Sequence, residues 1–139
     1  MQQRAQFRLD LRRLVAAAAL VNDVALFTDE EKPRRALHTV GIGDRVAVQA
    51  EKSIEMLMLY LGCLRAGAVF LPLNPAYTAG ELAYFLADAE PALFVCDPAR
   101  REEAEALAAV QGGIRVETLA GAGEGTLKAL AAAASPTYA

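Results

Sequence analysis

The stretch that most constrains the fold is residues 61–78, LGCLRAGAVFLPLNPAYT, which joins a helix pattern to a strand pattern and then to a turn. The mostly apolar helix pattern ends at Gly67, and residues 68–71 have strand-like composition. The Pro-Leu-Asn-Pro run at 72–75 then interrupts the chain before the next helix can begin at Thr78. We interpret this layout as one α–β–α step of a parallel α/β sheet.

The same alternation extends from about residue 44 toward the end of the chain. Strand patterns fall at 44–49, 68–73, 92–97 and 114–119, and helix patterns fall at 54–66, 78–89, 99–110 and 126–134. This βαβαβαβα order with short connections predicts an α/β fold with a parallel, doubly wound sheet of about four strands and right-handed crossovers. We expect an N-terminal helix and charged connector in residues 1–42 and the α/β subdomain in residues 43–139.

The helix predicted at 54–66 is apolar on nearly all sides. Ile54, Leu57, Leu61 and Leu64 form one face, and methionine, leucine, tyrosine and cysteine side chains cover most of the rest. Such a helix must be covered on more than one side. The sequence therefore predicts that part of its cover comes from residues beyond these 139 or from a second chain.

Composition and charge exclude several classes of protein. The 139 residues suit one domain or one lobe of a larger protein, and 55% hydrophobic with 22% charged residues is typical of a globular chain. The net charge of −3 and the lack of a basic stripe argue against a nucleic-acid partner. The apolar run LVAAAALV is too short to span a bilayer, so we expect no membrane partner.

The N-terminus and the cysteines bear on localisation. Arginines precede the run LVAAAALV, which resembles a targeting segment, but an amphipathic helix from about Leu9 to Ala25 is favoured. Cys63 and Cys96 match no zinc spacing and are predicted to be buried thiols rather than a disulfide. We expect a cytoplasmic protein, with a mitochondrial location as the alternative.

No assembled catalytic or metal site is predicted. The single histidine, His38, lies in the polar connector, and Ser53 and Ser135 suit a helix cap and a helix terminator. The GAGEG run at 121–125 follows a strand, but Thr126 stands where a dinucleotide fingerprint needs its third glycine, so a turn is favoured. The residues by themselves therefore indicate an α/β domain and nothing more specific.

Residues 43–98 resemble the N-terminal domain of the adenylate-forming acyl-CoA synthetases, and within that family they are most similar to malonyl-CoA synthetases. The matching phrases are GDRVA at 43–47, EKS at 51–53, the run from Leu64 to Pro75, Y-T-x-x-E-L at 77–82 and DAEP at 88–91. The first 42 residues depart from the family, because Phe7 to Leu11 lack its usual tyrosine. The resemblance implies an incomplete lobe of that domain.

The family's acid–thiol ligase reaction implies particular cofactors. A carboxylate, such as malonate, attacks the α-phosphate of ATP, and the coenzyme A thiol then displaces AMP. The resemblance implies ATP, Mg²⁺ and coenzyme A for the parent enzyme. The family's phosphate loop and catalytic lysine match no position up to Ala139, so we assign no catalytic residue. We expect these 139 residues alone to be inactive and to bind none of the three cofactors tightly.

The resemblance also implies a border for coenzyme A. The matching positions are Pro75 and Ala76 after the second strand, with Arg100 and Arg101 after the third. Two arginines near the start of a helix would suit a phosphate. The favoured alternative is a solvated helix start, in which the arginines pair with Glu103 or Glu105.

Two other functions stay open at this point. One is a non-catalytic α/β module that self-associates as a homo-oligomer through an exposed apolar helix face. The other is a small nucleotide-binding domain of a different family, which ranks last because the sequence contains no phosphate-binding loop.

Overall fold

The computed structural model of the chain describes residue 40, residues 42–120, residues 125–127 and residue 129. The predicted N-terminal helix, the charged connector with His38, residues 121–124 of the glycine-rich run, and most of the last predicted helix lie outside the described residues. The division at residues 42 and 43 stays a prediction.

The described chain alternates strands and helices as the sequence predicts. The elements are β1 (Arg45–Gln49), α1 (Ile54–Ala66), β2 (Val69–Pro72), α2 (Ala79–Ala89), β3 (Leu93–Cys96), α3 (Arg101–Val110) and β4 (Arg115–Thr118). One turn of 3₁₀ helix, Pro98–Arg100, precedes α3, so the helix predicted at 99–110 begins with a tighter turn. Among the helices in the described part of the chain, we find no candidate for a membrane-spanning segment.

The four strands form one sheet in the order β2-β1-β3-β4, and every neighbouring pair is parallel. In the register, Ala47 of β1 lies between Leu71 of β2 and Phe94 of β3. Pro72 ends β2, where proline is tolerated because β2 lies at one edge of the described sheet. These pairings confirm the predicted parallel sheet.

Helices cover both faces of the sheet, which confirms the doubly wound architecture. Alternate β1 residues point to opposite faces. Val46 and Val48 join the apolar cluster under α1, together with Leu59 and Cys63 of that helix. Ala47 joins the cluster on the other face, which Leu82 and Leu86 of α2 and Ala104 of α3 complete.

Local capping fixes where the helices begin and end. The Ser53 hydroxyl accepts a hydrogen bond from the Met56 amide at 3.1 Å, which caps α1. That helix ends at Gly67 in the left-handed conformation (φ 73°) that glycine adopts without strain. At α2, Thr78 and Glu81 form the predicted capping box, since each side chain accepts from the other residue's amide.

The sheet covers only one side of α1. Leu59 and Cys63 are buried against it. Ile54, Leu57 and Leu64 are 45%, 48% and 56% exposed, so the face that the sequence singles out points away from the sheet. The described residues thus leave an apolar helix face uncovered, which we call the outer face of α1 (Ile54, Leu57, Leu61 and Leu64).

Candidate functional site

The strand order reverses at β1, and this places the candidate site. The chain runs from β1 outward to β2, then returns past β1 to β3 on its other side. In open parallel sheets, ligands bind outside the carboxyl ends of the strands at such a reversal. The segments there are the end of β1 at Gln49, the turn 74–77 after β2, and residues 97–101 after β3.

Gln49 connects the end of β1 to the turn after β2. Its side chain is buried, and its amide nitrogen Nε2 donates to the carbonyl oxygen of Asn74 at 3.0 Å. A glutamine that ends an otherwise apolar buried strand is the signal by which the sequence could have identified this contact. Gln49 is not among the border residues that the sequence predicts.

Arg100 meets the same turn from the other side. Its Nη1 donates to the carbonyl oxygen of Pro75 at 3.0 Å, and its Nη2 donates to that of Tyr77 at 3.4 Å. Nε and Nη2 also donate to Oε2 of Glu103 at 3.1 and 3.0 Å. The structure therefore brings three of the predicted border residues, Arg100, Pro75 and Ala76, to one place.

The turn itself offers little to a phosphate. Pro75 has no N–H group. The amide of Ala76 donates to Oδ1 of Asn74 at 2.9 Å, and the amide of Tyr77 donates to the Asn74 carbonyl oxygen at 3.0 Å. The exposed surface at Pro75 and Ala76 can thus contribute apolar contact to a ligand, whereas an anion would need a donor from elsewhere.

Arg101, the fourth predicted residue, makes a different contact. Its Nε donates to Oε1 of Glu105 at 2.8 Å, one helical turn farther along α3, and its side chain is 46% exposed. The hydrogen bond and the charge of Glu105 raise the pKa of Arg101, with a smaller contribution from Glu117. The ion pairs that the sequence favours, Arg100 with Glu103 and Arg101 with Glu105, are both present.

A carboxylate and an aromatic pair flank the turn on the α2 side. The backbone and side chain of Thr78 hydrogen-bond the carboxylate of Glu81 and lower its pKa. The ring of Tyr77 stacks on that of Phe85 with centroids 4.9 Å apart. The α2 end of the turn is therefore held by its own helix cap and by ring packing.

Neither cysteine is a candidate nucleophile. Cys63 lies under α1 on one face of the sheet, and Cys96 lies under the helices of the other face. Both are buried, as the sequence predicts, and burial raises the pKa of Cys63 to about 12 and that of Cys96 to about 11. In the part of the chain that the structure describes, no group of three His, Cys, Asp or Glu side chains is arranged to hold a metal ion.

Comparison with known proteins identifies the class. Residues 35–137 match the AMP-binding enzyme family, and this chain belongs to that family. The match confirms the resemblance drawn from residues 43–98. The fold agrees as well, because the chain superimposes on the N-terminal region of solved acyl-CoA synthetases.

Among solved structures, the chain is similar to MatB from Rhodopseudomonas palustris. The ATP-bound MatB structure is 48% identical, with a TM-score of 0.75, over 90% of this chain and 23% of that chain. An acyl-CoA synthetase from Brucella canis is 26% identical, with a TM-score of 0.67, over 90% of this chain and 22% of that one. Among curated proteins, a probable CoA ligase from Humulus lupulus is 42% identical over 69 residues, which are 50% of this chain and 13% of that protein. The chain thus spans about a quarter or less of these relatives.

Proposed function

We propose that this chain is an N-terminal part of an ATP-dependent acyl-CoA synthetase that acts on malonate or a similar short carboxylate. The observation that carries the proposal is the 48% identity to ATP-bound MatB across 90% of the chain. The ordered phrases at 43–98, which resemble malonyl-CoA synthetases, support the choice of acid.

In the proposed reaction, a carboxylate oxygen of the acid attacks the α-phosphorus of ATP. The bond to the β-phosphate breaks, pyrophosphate leaves, and an acyl-adenylate remains. The coenzyme A sulfur, having lost its proton, then attacks the acyl carbonyl carbon, and AMP leaves with the electron pair of the broken C–O bond. Mg²⁺ would offset charge on the phosphates. We assign no Mg²⁺ ligand in the described part of the chain.

The described residues serve this reaction as scaffold. The sheet and its helices hold the turn 74–77 and the start of α3 at the carboxyl edge, where they would border coenzyme A. Pro75 and Ala76 would supply apolar contact, and an arginine from residues 100–101 would supply positive charge. We propose that the 139 residues alone do not carry out the adenylation.

A segment exchange tests this role. Residues 43–119 would replace the matching segment of R. palustris MatB, and malonate-dependent ATP–pyrophosphate exchange would be measured for the chimera, for MatB and for the 139-residue chain. We expect exchange by the first two and none by the third. A folded but inactive chimera would refute the scaffold role. Exchange by the 139-residue chain would refute the proposal that these residues alone do not carry out the adenylation. Replacing malonate with other short carboxylates tests the choice of acid.

One observation favours a second candidate, a non-catalytic module that pairs with its own copy. The outer face of α1 presents apolar residues spaced three and four apart, which is the spacing of a helix–helix seam. Light scattering would compare the wild type with the double variant Leu57→Gln, Leu64→Gln. Val110→Gln, at an 83% exposed apolar position on α3, is the matched control. A dimer that only the double variant dissociates supports this candidate, and a monomeric wild type excludes it.

A further inference from the structure

Most hydrogen-bond donors of Arg100 are used within the protein, in part by the turn 74–77. A guanidinium has five N–H donors, and the contacts with Glu103, Pro75 and Tyr77 use four of them. Its side chain is only 27% exposed. A phosphate could occupy all the donors of Arg100 only by displacing the two carbonyl oxygens of the turn as well as Glu103.

Those two carbonyl oxygens belong to one short turn that is held from both sides. Arg100, which follows β3, binds the carbonyls of Pro75 and Tyr77, and Gln49, which ends β1, binds that of Asn74. The planar fork of an arginine fixes two acceptors at once, whereas a lysine ammonium is a single point charge. Arg100 therefore determines where the surface of Pro75 and Ala76 lies relative to the end of β3.

Arg101 is held much less firmly than its neighbour. Its guanidinium forms one i,i+4 ion pair with Glu105, in which the two side chains are 46% and 50% exposed. Exposed helical pairs of this kind contribute little, so the guanidinium can exchange Glu105 for another anion at small cost. The two adjacent arginines thus differ in their availability.

We propose that Arg100 is a positioning residue that fixes the turn 74–77, and that Arg101 is the arginine of the pair that meets the 3′-phosphate of coenzyme A. The proposal deepens the coenzyme A border and rests on the proposed function for its ligand. It divides between two residues a role that the sequence assigned to both.

The positioning half is tested without ligand on the ¹⁵N-labelled 139-residue chain. Exchange of the Ala76 and Tyr77 amides with water would be measured for the wild type, Arg100→Lys, Arg100→Gln and the control Arg101→Gln. We expect both Arg100 variants to speed exchange at these amides by about fivefold or more, while β3 amides and Arg101→Gln stay at wild-type rates. Unchanged exchange in Arg100→Gln, or wild-type exchange in Arg100→Lys, would overturn this half.

The phosphate half uses millimolar titrations with coenzyme A and with 3′-dephospho-coenzyme A, followed by amide shifts. We expect Arg101→Gln to bind coenzyme A no better than the dephosphorylated ligand, and Arg101→Lys to retain the preference. Arg100→Lys should weaken both ligands equally. Wild-type preference in Arg101→Gln would overturn this half. If neither ligand shifts any amide of the turn 74–77 in the wild type, the proposed coenzyme A border itself is refuted. The amide exchange rates measured without ligand still decide whether Arg100 positions the turn.

Discussion

Replacing glycine with alanine at two positions is expected to change stability in opposite directions. At Gly125 an added Cβ would lie 2.6 Å from the carbonyl oxygen of Thr118, and the backbone φ is +124°. At Gly80, the second residue of α2, an added Cβ would meet nothing within 4 Å. The two variants thus carry the same chemical change into a crowded, strained position and an open helical one.

The magnitudes follow from these geometries. A non-glycine residue at such a φ costs on the order of 1–3 kcal/mol. The close contact at Gly125 adds to that cost. Moving residue 125 away from Thr118 would also separate Thr126 from Thr118. The amide of each of these threonines donates to the hydroxyl of the other, at 2.8 Å from Thr118 and 2.9 Å from Thr126. We expect Gly125→Ala to lower the free energy of unfolding by about 2 kcal/mol or more. Gly80→Ala should raise it by about 0.5–1 kcal/mol, since alanine favours a helix.

Urea unfolding of the wild type and both variants, followed by circular dichroism, measures the difference. Similar m-values for the three proteins would show that the denatured states are comparable. A Gly125→Ala variant as stable as the wild type, beside a stabilised Gly80→Ala, would refute the close approach of residue 125 to β4.

Three further predictions concern a helix cap, the thiols and the core. The lowered pKa of Glu81 means that the stability contributed by its carboxylate is complete above its ordinary pKa of 4.5 and is lost as the pH falls through the lower folded pKa. Glu81→Gln should therefore flatten the acid side of a plot of unfolding midpoint against pH, and an unchanged plot would contradict this. Since burial raises the pKa of Cys63 to about 12 and of Cys96 to about 11, a disulfide reagent at mildly alkaline pH should label the native chain far more slowly than the urea-unfolded chain. Equal labelling rates would show that the thiols are accessible. Phe94→Ala removes a fully buried ring from β3 and should cost about 3–5 kcal/mol in urea unfolding, whereas the exposed control Tyr84→Ala should cost under about 1 kcal/mol.

The fold was predictable because its signals are local. Apolar runs of strand length alternate with helix-length patterns, and Ser53, Gly67 and the Thr78 capping box mark helix ends within a residue or two of those observed. The strand order β2-β1-β3-β4 was not predicted. The residues of a strand do not indicate which neighbouring strand it pairs with. The pairing depends on whether each crossover connection places the next strand on one side or the other of the strand before it.

The candidate site was predictable only as a set of positions. Pro75, Ala76 and Arg100 do lie together, but Arg101 makes its contacts along α3. Adjacent arginines look equivalent in sequence, and only the packing of the β3–α3 junction against the turn after β2 distinguishes them. The sequence did predict that α1 needs cover on more than one side, but a helix that is apolar all round does not indicate which side meets the sheet.

The position of β1 has a consequence for the order of folding during synthesis. β1 leads the described sheet along the chain but lies between β2 and β3, so its two backbone edges are paired at different times. Once Pro72 has left the ribosome, β1 can pair with β2, yet its second edge stays bare until Leu93–Cys96 emerge. Translation of the intervening α2 segment is therefore the interval in which Val46–Val48 offer an unpaired apolar edge to other nascent chains.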